Sequence, residues 1–473
     1  MRLYNTLTKK TEEFKPIKEK EVKLYHCGPT VYWTQHIGNL RGMFCADLAV
    51  RTFKYLRYKV KHIRNYTDVG HLTSDTDIGE DKMEKGARRE GLNPAEIAKK
   101  YIKIFEQDTQ ELNMLEPTVK PKATEHIQDM IEMTKTLIAK KYAYTTPLAI
   151  YFDISKVKNY TKLSGQILEE NIQGAGKSDI SDSQKKHSSD FALWFFKAGT
   201  HKNAIQYWTS PFSSKLVENG EGFPGWHIEC SAMSKKYLGD TLDIHMGGVE
   251  HIPVHHTNEI AQSESANGVP FSNYWLHNEH LLVDNKKMAK SEGTSFSLQE
   301  IKEKGFNSLS LRYLFLTASY RSKLNFTWKS LEANQNTLNK LYDFIKITDS
   351  AITKNKTREQ SHSAQTIETY KKQFQNALEN NFDTPKALAL IWEIIKSEEV
   401  NYNDKKTALL EFDKVLGLNL NKIKKEKIEI SDDVKKLIEQ REKARKNKDW
   451  EKADKLRNEI EKKGLAIKDK SVE

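Results

Sequence analysis

A chain of 473 residues is too long for one ordinary domain, and at roughly 100–200 residues per domain it divides into two to four. Charged residues make up 30% and apolar residues 37%, and 19 Phe, 19 Tyr and 8 Trp supply enough apolar surface for sizeable cores, which excludes disorder throughout. No run of 18 apolar residues exists, so no membrane span is expected, and Met1-Arg2-Leu3-Tyr4-Asn5 carries no apolar leader. Three cysteines cannot form a disulfide framework, which makes a reducing cytoplasm the expected compartment, while a net charge of +11 favours a polyanionic partner.

In chain order, residues 22–115 read as alternating β and α. The pattern predicts a strand over 22–31 that contains Cys27-Gly28-Pro29-Thr30, a helix from about 40 to 56, and a second strand over 60–66. Strand, turn, helix, strand is a βαβ unit, which implies a parallel sheet with its ligand at the carboxyl edge. Residues 116–224 differ, with a helix over 125–141, a strand over 149–154 and a Ser-, Lys-, Asp- and Gly-rich stretch at 174–189 expected to be a mobile loop. This block reads as an insertion. Strand and glycine signals return at 241–250, followed by a helix to 266. From about 309 the chain is helical, with periodic apolar positions in 329–352, 366–398 and 406–417. A charged linker at 422–427 leads to two tail helices, 431–447 and 450–463, and residues 421–473 carry 18 basic and 13 acidic side chains.

Three groups of residues carry chemistry. His36-Ile37-Gly38-Asn39 sits at the strand-to-helix turn, where a helix N-terminus offers free N–H groups and a positive dipole to a phosphate. Gly38 removes a side chain where an adenine could approach, and His36 is placed to donate to a phosphate oxygen. Lys287-Met288-Ala289-Lys290-Ser291 brackets a loop with two cations that can neutralise a triphosphate, although a solvated basic turn has the same composition. Cys27, Cys230, His255 and Glu259 form a plausible zinc set drawn from three segments, His255 and Glu259 lying on one helical face. The alternative makes both cysteines small buried hydrophobes and Glu259 half of a helical ion pair. Cys45, mid-helix among apolar residues, reads as inert core.

The first two groups, in this order and about 250 residues apart, resemble the HIGH and KMSKS signatures of class I aminoacyl-tRNA synthetases. Asn39 replaces the second His, and Ala289 replaces the middle Ser while both lysines remain. With Tyr25 to Arg41, Arg64-Asn65-Tyr66-Thr67-Asp68, Gly225-Trp226-His227-Ile228-Glu229-Cys230 and Asn381-Phe382-Asp383-Thr384-Pro385, the likeness narrows to the cysteinyl-tRNA synthetases and spans nearly the whole chain. The resemblance implies an α/β fold: a Rossmann-like parallel-sheet catalytic domain with an inserted connective domain, then a helical anticodon-binding bundle and a small C-terminal helical hairpin. The implied boundaries are 1–115 and 225–308 for the catalytic halves, 116–224 for the insertion, 309–350 for a stem-contact region, 351–421 for the bundle and 422–473 for a basic tRNA-contacting segment. It implies that Cys27, Cys230, His255 and Glu259 hold one Zn²⁺ to which cysteine binds through its thiolate. It places Gly28, Thr67 and Trp226 in the amino-acid pocket, though Trp226 also suits core packing. His36, Gly38, Asn39, Gly247, Gly248, Glu250, Lys287 and Lys290 fall to ATP, with Mg²⁺. Glu250 stands where an Asp is usual and is one methylene longer. His256 is either a supporting partner of the site or a surface residue. Arg445, Trp450, Asp454 and Asp469 match anticodon-contacting positions, or belong to an ordinary salt-bridged hairpin. The implied partners are tRNA-Cys, L-cysteine and ATP, acting on a cytoplasmic monomer.

Two other readings fit parts of the pattern. One is a relative that joins activated cysteine to an amino-sugar, which would not need the long basic helical part. The other is a binding protein that has lost catalysis, which would not be expected to keep His36, both lysines and all four ligands.

Overall fold

Glu21–His26 pairs in parallel with Lys59–Arg64 on one side and Leu242–Gly248 on the other, and Ser272–Asn278 completes a four-stranded parallel sheet. A parallel sheet is usually covered on both faces, and Leu242–Gly248 is buried along its whole length although it carries Asp243 and His245, while Lys59–Arg64 is buried only over His62, Ile63 and Arg64. The computed structural model describes residues 1–70, 81–166, 182–288, 293–354, 360–423 and 432–462. The first strand ends at His26 rather than 31. Pro29 lacks an N–H, and beyond it only Thr30 rejoins the ladder, in an isolated bridge to Thr67.

The helix Ile37–Tyr55 follows, buried on nearly every side. Trp226–Leu238 and His255–Asn267 pack against each other and, with the sheet, enclose the main core. Between the halves lies an antiparallel sheet of five strands in the order Ala143–Thr145, Ala149–Phe152, Phe191–Phe196, Glu221–Pro224 and Trp208–Thr209. Phe152 and Phe191 stack across it with ring centroids 4.9 Å apart. Half of the stretch 174–189, expected to be mobile, lies outside the described residues.

The helical region begins with Ser308–Leu316 and Trp328–Lys354. The periodic stretch 366–398 is two helices, Gln360–Glu379 and Thr384–Lys396. The break is local chemistry. Asn381 and Phe382 take positive φ of 56° and 57°, the Asp383 side chain accepts from the Lys386 N–H as N-cap, and Pro385 starts the next turn. Asn381 also accepts from the Tyr4 N–H at 2.9 Å and the Tyr320 hydroxyl at 3.0 Å, which ties the hinge to the N-terminal strand Arg2–Asn5. Residues 423–473 form a separate unit, in which Asp432–Lys446 and Trp450–Lys462 make a hairpin around Val434, Ala444, Ala453, Leu456 and Ile460.

A buried charge node joins the first long helix to the helical region. Arg312, fully buried, donates to Asp47 at 2.7 Å and to the Leu416 and Leu112 carbonyls, while Arg51 donates to Asp47 at 3.0 Å and to the Lys414 carbonyl. Burial alone would push the Asp47 carboxyl up, but the two guanidiniums hold it below the usual range. Asp47→Ala leaves two uncompensated buried guanidiniums and is expected to destabilise the protein by about 3–5 kcal/mol in urea titrations. A loss below about 1 kcal/mol would show that the node is solvated.

Candidate active site

The carboxyl ends of all four parallel strands meet in one cavity of about 330 Å³, lined among others by Cys27, Asn65, Gly248 and Asn278. Residues remote in sequence converge there because a parallel ladder points every strand the same way.

Cys27, Cys230, His255 and Glu259 come together with their ligand atoms within 4.8 Å of one another, all buried. The two sulfurs are 3.8 Å apart, and His255 Nε2 lies 2.9 Å from Glu259 Oε1. Two Zn–S bonds of about 2.3 Å at a tetrahedral angle span about 3.8 Å, so the thiols already have the separation a zinc ion requires. Cys27, His245, His256 and Glu259 are equally close, but that set reaches the cavity through Cys27 alone, whereas the first lines it with Cys27, Cys230 and His255.

The charges fit a cation. Burial pushes the Cys27 thiol up, so it stays protonated and donates to Cys230. Burial would raise Cys230 too, yet the Cys27 hydrogen bond and the neighbouring His255 bring it to about 6. His255 resists burial through the charge of Glu259 and rises to about 10, and His245 and His255 hold the Glu259 carboxyl well below its ordinary value. At neutral pH an imidazolium therefore sits between a thiolate and a carboxylate, where a divalent ion would replace its proton.

A ring of histidines, of which the sequence reading singled out only His256, orients these groups. His227 Nδ1 meets His255 Nδ1 at 2.9 Å, and His245 Nε2 meets Glu259 Oε2 at 2.8 Å. His256 is fully buried between Cys27, at 3.4 Å, and His277, at 2.7 Å, so it belongs to the site and not to the surface. Burial pushes the His227, His256 and His277 imidazoles well down, which keeps them neutral. The available signal was a polar residue in an otherwise buried strand, His245, since a buried imidazole needs a partner. Asn65 was also missed. It accepts from the Gly28 N–H at 2.8 Å and donates to the Thr67 hydroxyl, which in turn donates to the buried Glu229.

Trp226 is half-buried, lines the cavity and stacks on His255 with centroids 4.3 Å apart, so it is not plain core packing. Gly28 and Thr67 line the same end. His36, Gly38, Asn39, Gly248 and Glu250 line the rest, whereas Gly247 lies behind the wall, where a Cβ would meet His256 and His251 at 2.6 Å. Glu250 is exposed, 3.7 Å from His280.

The helix start departs from expectation. The Ile37 N–H bonds Phe296, Gly38 and Asn39 donate to His36 Nδ1, and Leu40 donates to the His36 carbonyl, so those four N–H groups are already satisfied. The reason is that His36 is itself the N-cap. With Nδ1 accepting, its proton sits on Nε2. Lys287 is exposed on a short strand paired to Leu281–Val283. Met288 Cε lies 2.2 Å from where a Gly38 Cβ would be, so the two signature segments touch. Ala289 and Lys290 lie outside the described residues. In the separate C-terminal unit, Trp450 is 56% exposed, Asp454 lies one turn further on, and Arg445 is in the last turn of its helix. Asp469 lies outside the described residues. Cys45 is buried and its thiol is raised to about 11, as an inert core residue should be.

Residues 13–336 match the family described as the tRNA synthetases class I (C) catalytic domain, and residues 428–473 match the cysteinyl-tRNA ligase anticodon binding domain. A cysteine–tRNA ligase of Treponema denticola is 42% identical over 492 residues, covering 100% of this chain and 98% of that protein. Cysteine–tRNA ligase 1 of Burkholderia lata is 41% identical, covering 99% and 94%, and the cysteine–tRNA ligase of Finegoldia magna is 40% identical, covering 99% and 98%. Among solved structures, Mycobacterium tuberculosis methionyl-tRNA synthetase in complex with methionyl-adenylate shares the fold, with a TM-score of 0.60 at 14% identity, covering 85% of this chain and 93% of that one. Among the described residues, no helix is long and apolar enough to cross a membrane.

A Cβ on Gly28 would lie 1.7 Å from the Asn65 carbonyl oxygen, a backbone atom that cannot swing away. Gly28→Ala is therefore expected to cost about 2 kcal/mol or more and to lower the melting temperature by several degrees. An unchanged melting curve would show that the two strand ends are free to part.

Proposed function

The chain belongs to the class I cysteinyl-tRNA synthetases, so it charges tRNA with cysteine at the expense of ATP, and on that footing we propose how its residues divide the work. The observation that carries the proposal is the convergence of Cys27, Cys230, His255 and Glu259 at the buried end of the cavity. Their two sulfurs, imidazole and carboxylate hold one Zn²⁺. When bound, the ion supplies a soft Lewis acid that takes the substrate sulfur as a thiolate, which a protonated serine hydroxyl cannot match. Shape alone discriminates poorly against a smaller substrate, and rejection of serine by about 10⁴-fold or more needs such a difference in bonding.

Gly28, Thr67 and Trp226 border the amino acid, and Gly248 and Glu250 border the adenosine. Gly247 supports that segment from behind, leaving room for His256. His36 donates from Nε2 to a phosphate oxygen, a role supported by the two N–H groups its Nδ1 already accepts. Gly38 and Asn39 shape the helix start, and Lys287 and Lys290 offset charge on the triphosphate, which enters with Mg²⁺. The cysteine carboxylate attacks the α-phosphorus and pyrophosphate leaves. The 2′-hydroxyl of the terminal tRNA adenosine then attacks the acyl carbon and AMP leaves. No side chain forms a covalent bond, so catalysis rests on positioning and charge.

Residues 1–115 and 225–308 make the catalytic domain and 116–224 the connective insertion. Residues 309–350 face the tRNA stem, and 351–421 with 422–473 face the anticodon arm. Trp450 stacks on a base while Arg445, Asp454 and Asp469 bond base edges or phosphates, a role the exposure of Trp450 supports. The chain works as a monomer, as the resemblance to the cysteinyl-tRNA synthetases implies. A reducing compartment, the cytoplasm, suits a site built on two thiols.

Pyrophosphate exchange is expected with cysteine and not with serine, on protein holding about one zinc per chain. Cys230→Ala should remove both zinc and exchange, and retained zinc with full activity would sink the ligand assignment. A chain ending at residue 429 should keep cysteine-dependent exchange but charge tRNA poorly. Unimpaired charging would remove 430–473 from tRNA recognition.

A further inference from the structure

Between the central strand and the helix Ile37–Tyr55 runs Tyr32-Trp33-Thr34-Gln35, and Trp33 has no role in the chemistry above. It lines the same cavity but is 37% exposed, whereas Cys230 and His255 are 1% and 2% exposed. Trp33 therefore marks the rim and the sulfur-binding residues mark the floor.

The rim is built, not loose. The Gln35 amide donates to the Thr30 and Trp33 carbonyls, both at 3.2 Å, which closes the loop on itself. The Arg89 guanidinium lies over the Trp33 ring, 3.7 Å from its centroid. Arg89 is itself held by the Tyr32 carbonyl at 2.9 Å, the Tyr101 hydroxyl at 3.1 Å and Glu90 at 2.7 Å. Its helix, Lys82–Glu90, comes this close because Gly86 faces Tyr32, where an added Cβ would lie 3.1 Å from the carbonyl oxygen. Lys82 of the same helix also lines the cavity.

Three molecules must reach this cavity during charging. Cysteine belongs at the thiol-lined floor and ATP along the helix start, so the third, the unpaired 3′ end of tRNA, has to enter past the rim. A preset indole beside two cations is what single-stranded RNA recognition uses, because every base offers a π-face and every link a phosphate. We propose that Trp33 is a positioning residue on which a base of the 3′ end of tRNA stacks while its terminal ribose reaches the adenylate. Arg89, ion-paired with Glu90, sets the ring, and Lys82 brings a cation to the same cavity for the adjoining phosphates. The proposal rests on the charging function above.

The test uses the full chain with Trp33→Ala and Trp33→Phe, measuring cysteine-dependent pyrophosphate exchange and single-turnover transfer to tRNA side by side. Trp33→Ala is expected to lower transfer efficiency by about tenfold to a hundredfold, the effect of losing one base–aromatic stack, and to leave exchange within about twofold. Trp33→Phe, which keeps a π-face, should restore transfer to within about threefold. A parallel fall in exchange would move Trp33 to the adenylate and overturn the proposal. Unchanged transfer, or a loss that Phe does not repair, would overturn it as well. Absence of exchange in the unaltered protein would instead overturn the underlying assignment, and this proposal with it.

Discussion

Parallel pairing of Glu21–His26 with both of its neighbours is the constraint on which the remaining structure depends. A parallel ladder fixes direction as well as adjacency, so all four strands end at one edge. Cys27, Asn65, Gly248 and Asn278, spread over some 250 residues of sequence, face one cavity for that reason. The close approach of Gly28 to the Asn65 carbonyl is its local cost, met by the absence of a side chain.

The second requirement is electrostatic. A thiolate, an imidazolium and a carboxylate are buried within one cluster, and none would keep its charge there alone. The surrounding imidazoles are neutral or hydrogen-bonded and act as spacers. His227 holds His255, and His245 holds Glu259, in fixed orientations. With the proposed zinc ion held by these residues, such a site would select by bonding chemistry and not by volume.

The helix that begins at His36 carries Asp47 and Arg51 further along, where they meet Arg312. One rigid element thus links the His36 end of the cavity to the node that fastens the helical region. Shifting the node would tilt the helix start, and a misplacement of about 1 Å at a reacting centre is costly in rate.

The sequence by itself determined the βαβ order and the two signature segments, with His36 at a strand-to-helix turn, and it offered candidate ligands in local patterns: His255 and Glu259 four apart on a helix, Cys27 at a strand end. Cys230 lies in a separate segment and meets the other three only through the fold. The sequence also told that Cys45 was core. It did not reveal that 366–398 breaks into two helices, since the hinge at Asn381 is stabilised by Tyr4 and Tyr320, far away in the chain. The capped state of the helix start and the burial of His256 depend on side chains meeting across elements, as does the position of Gly247 behind the cavity wall. The rim tryptophan belongs to the same class. Its guanidinium partner lies 56 residues further on, and only packing of Gly86 against Tyr32 brings the two together. Local patterns are fixed by backbone geometry and can be read from a string, whereas partners set by long-range packing are decided only when the chain closes on itself.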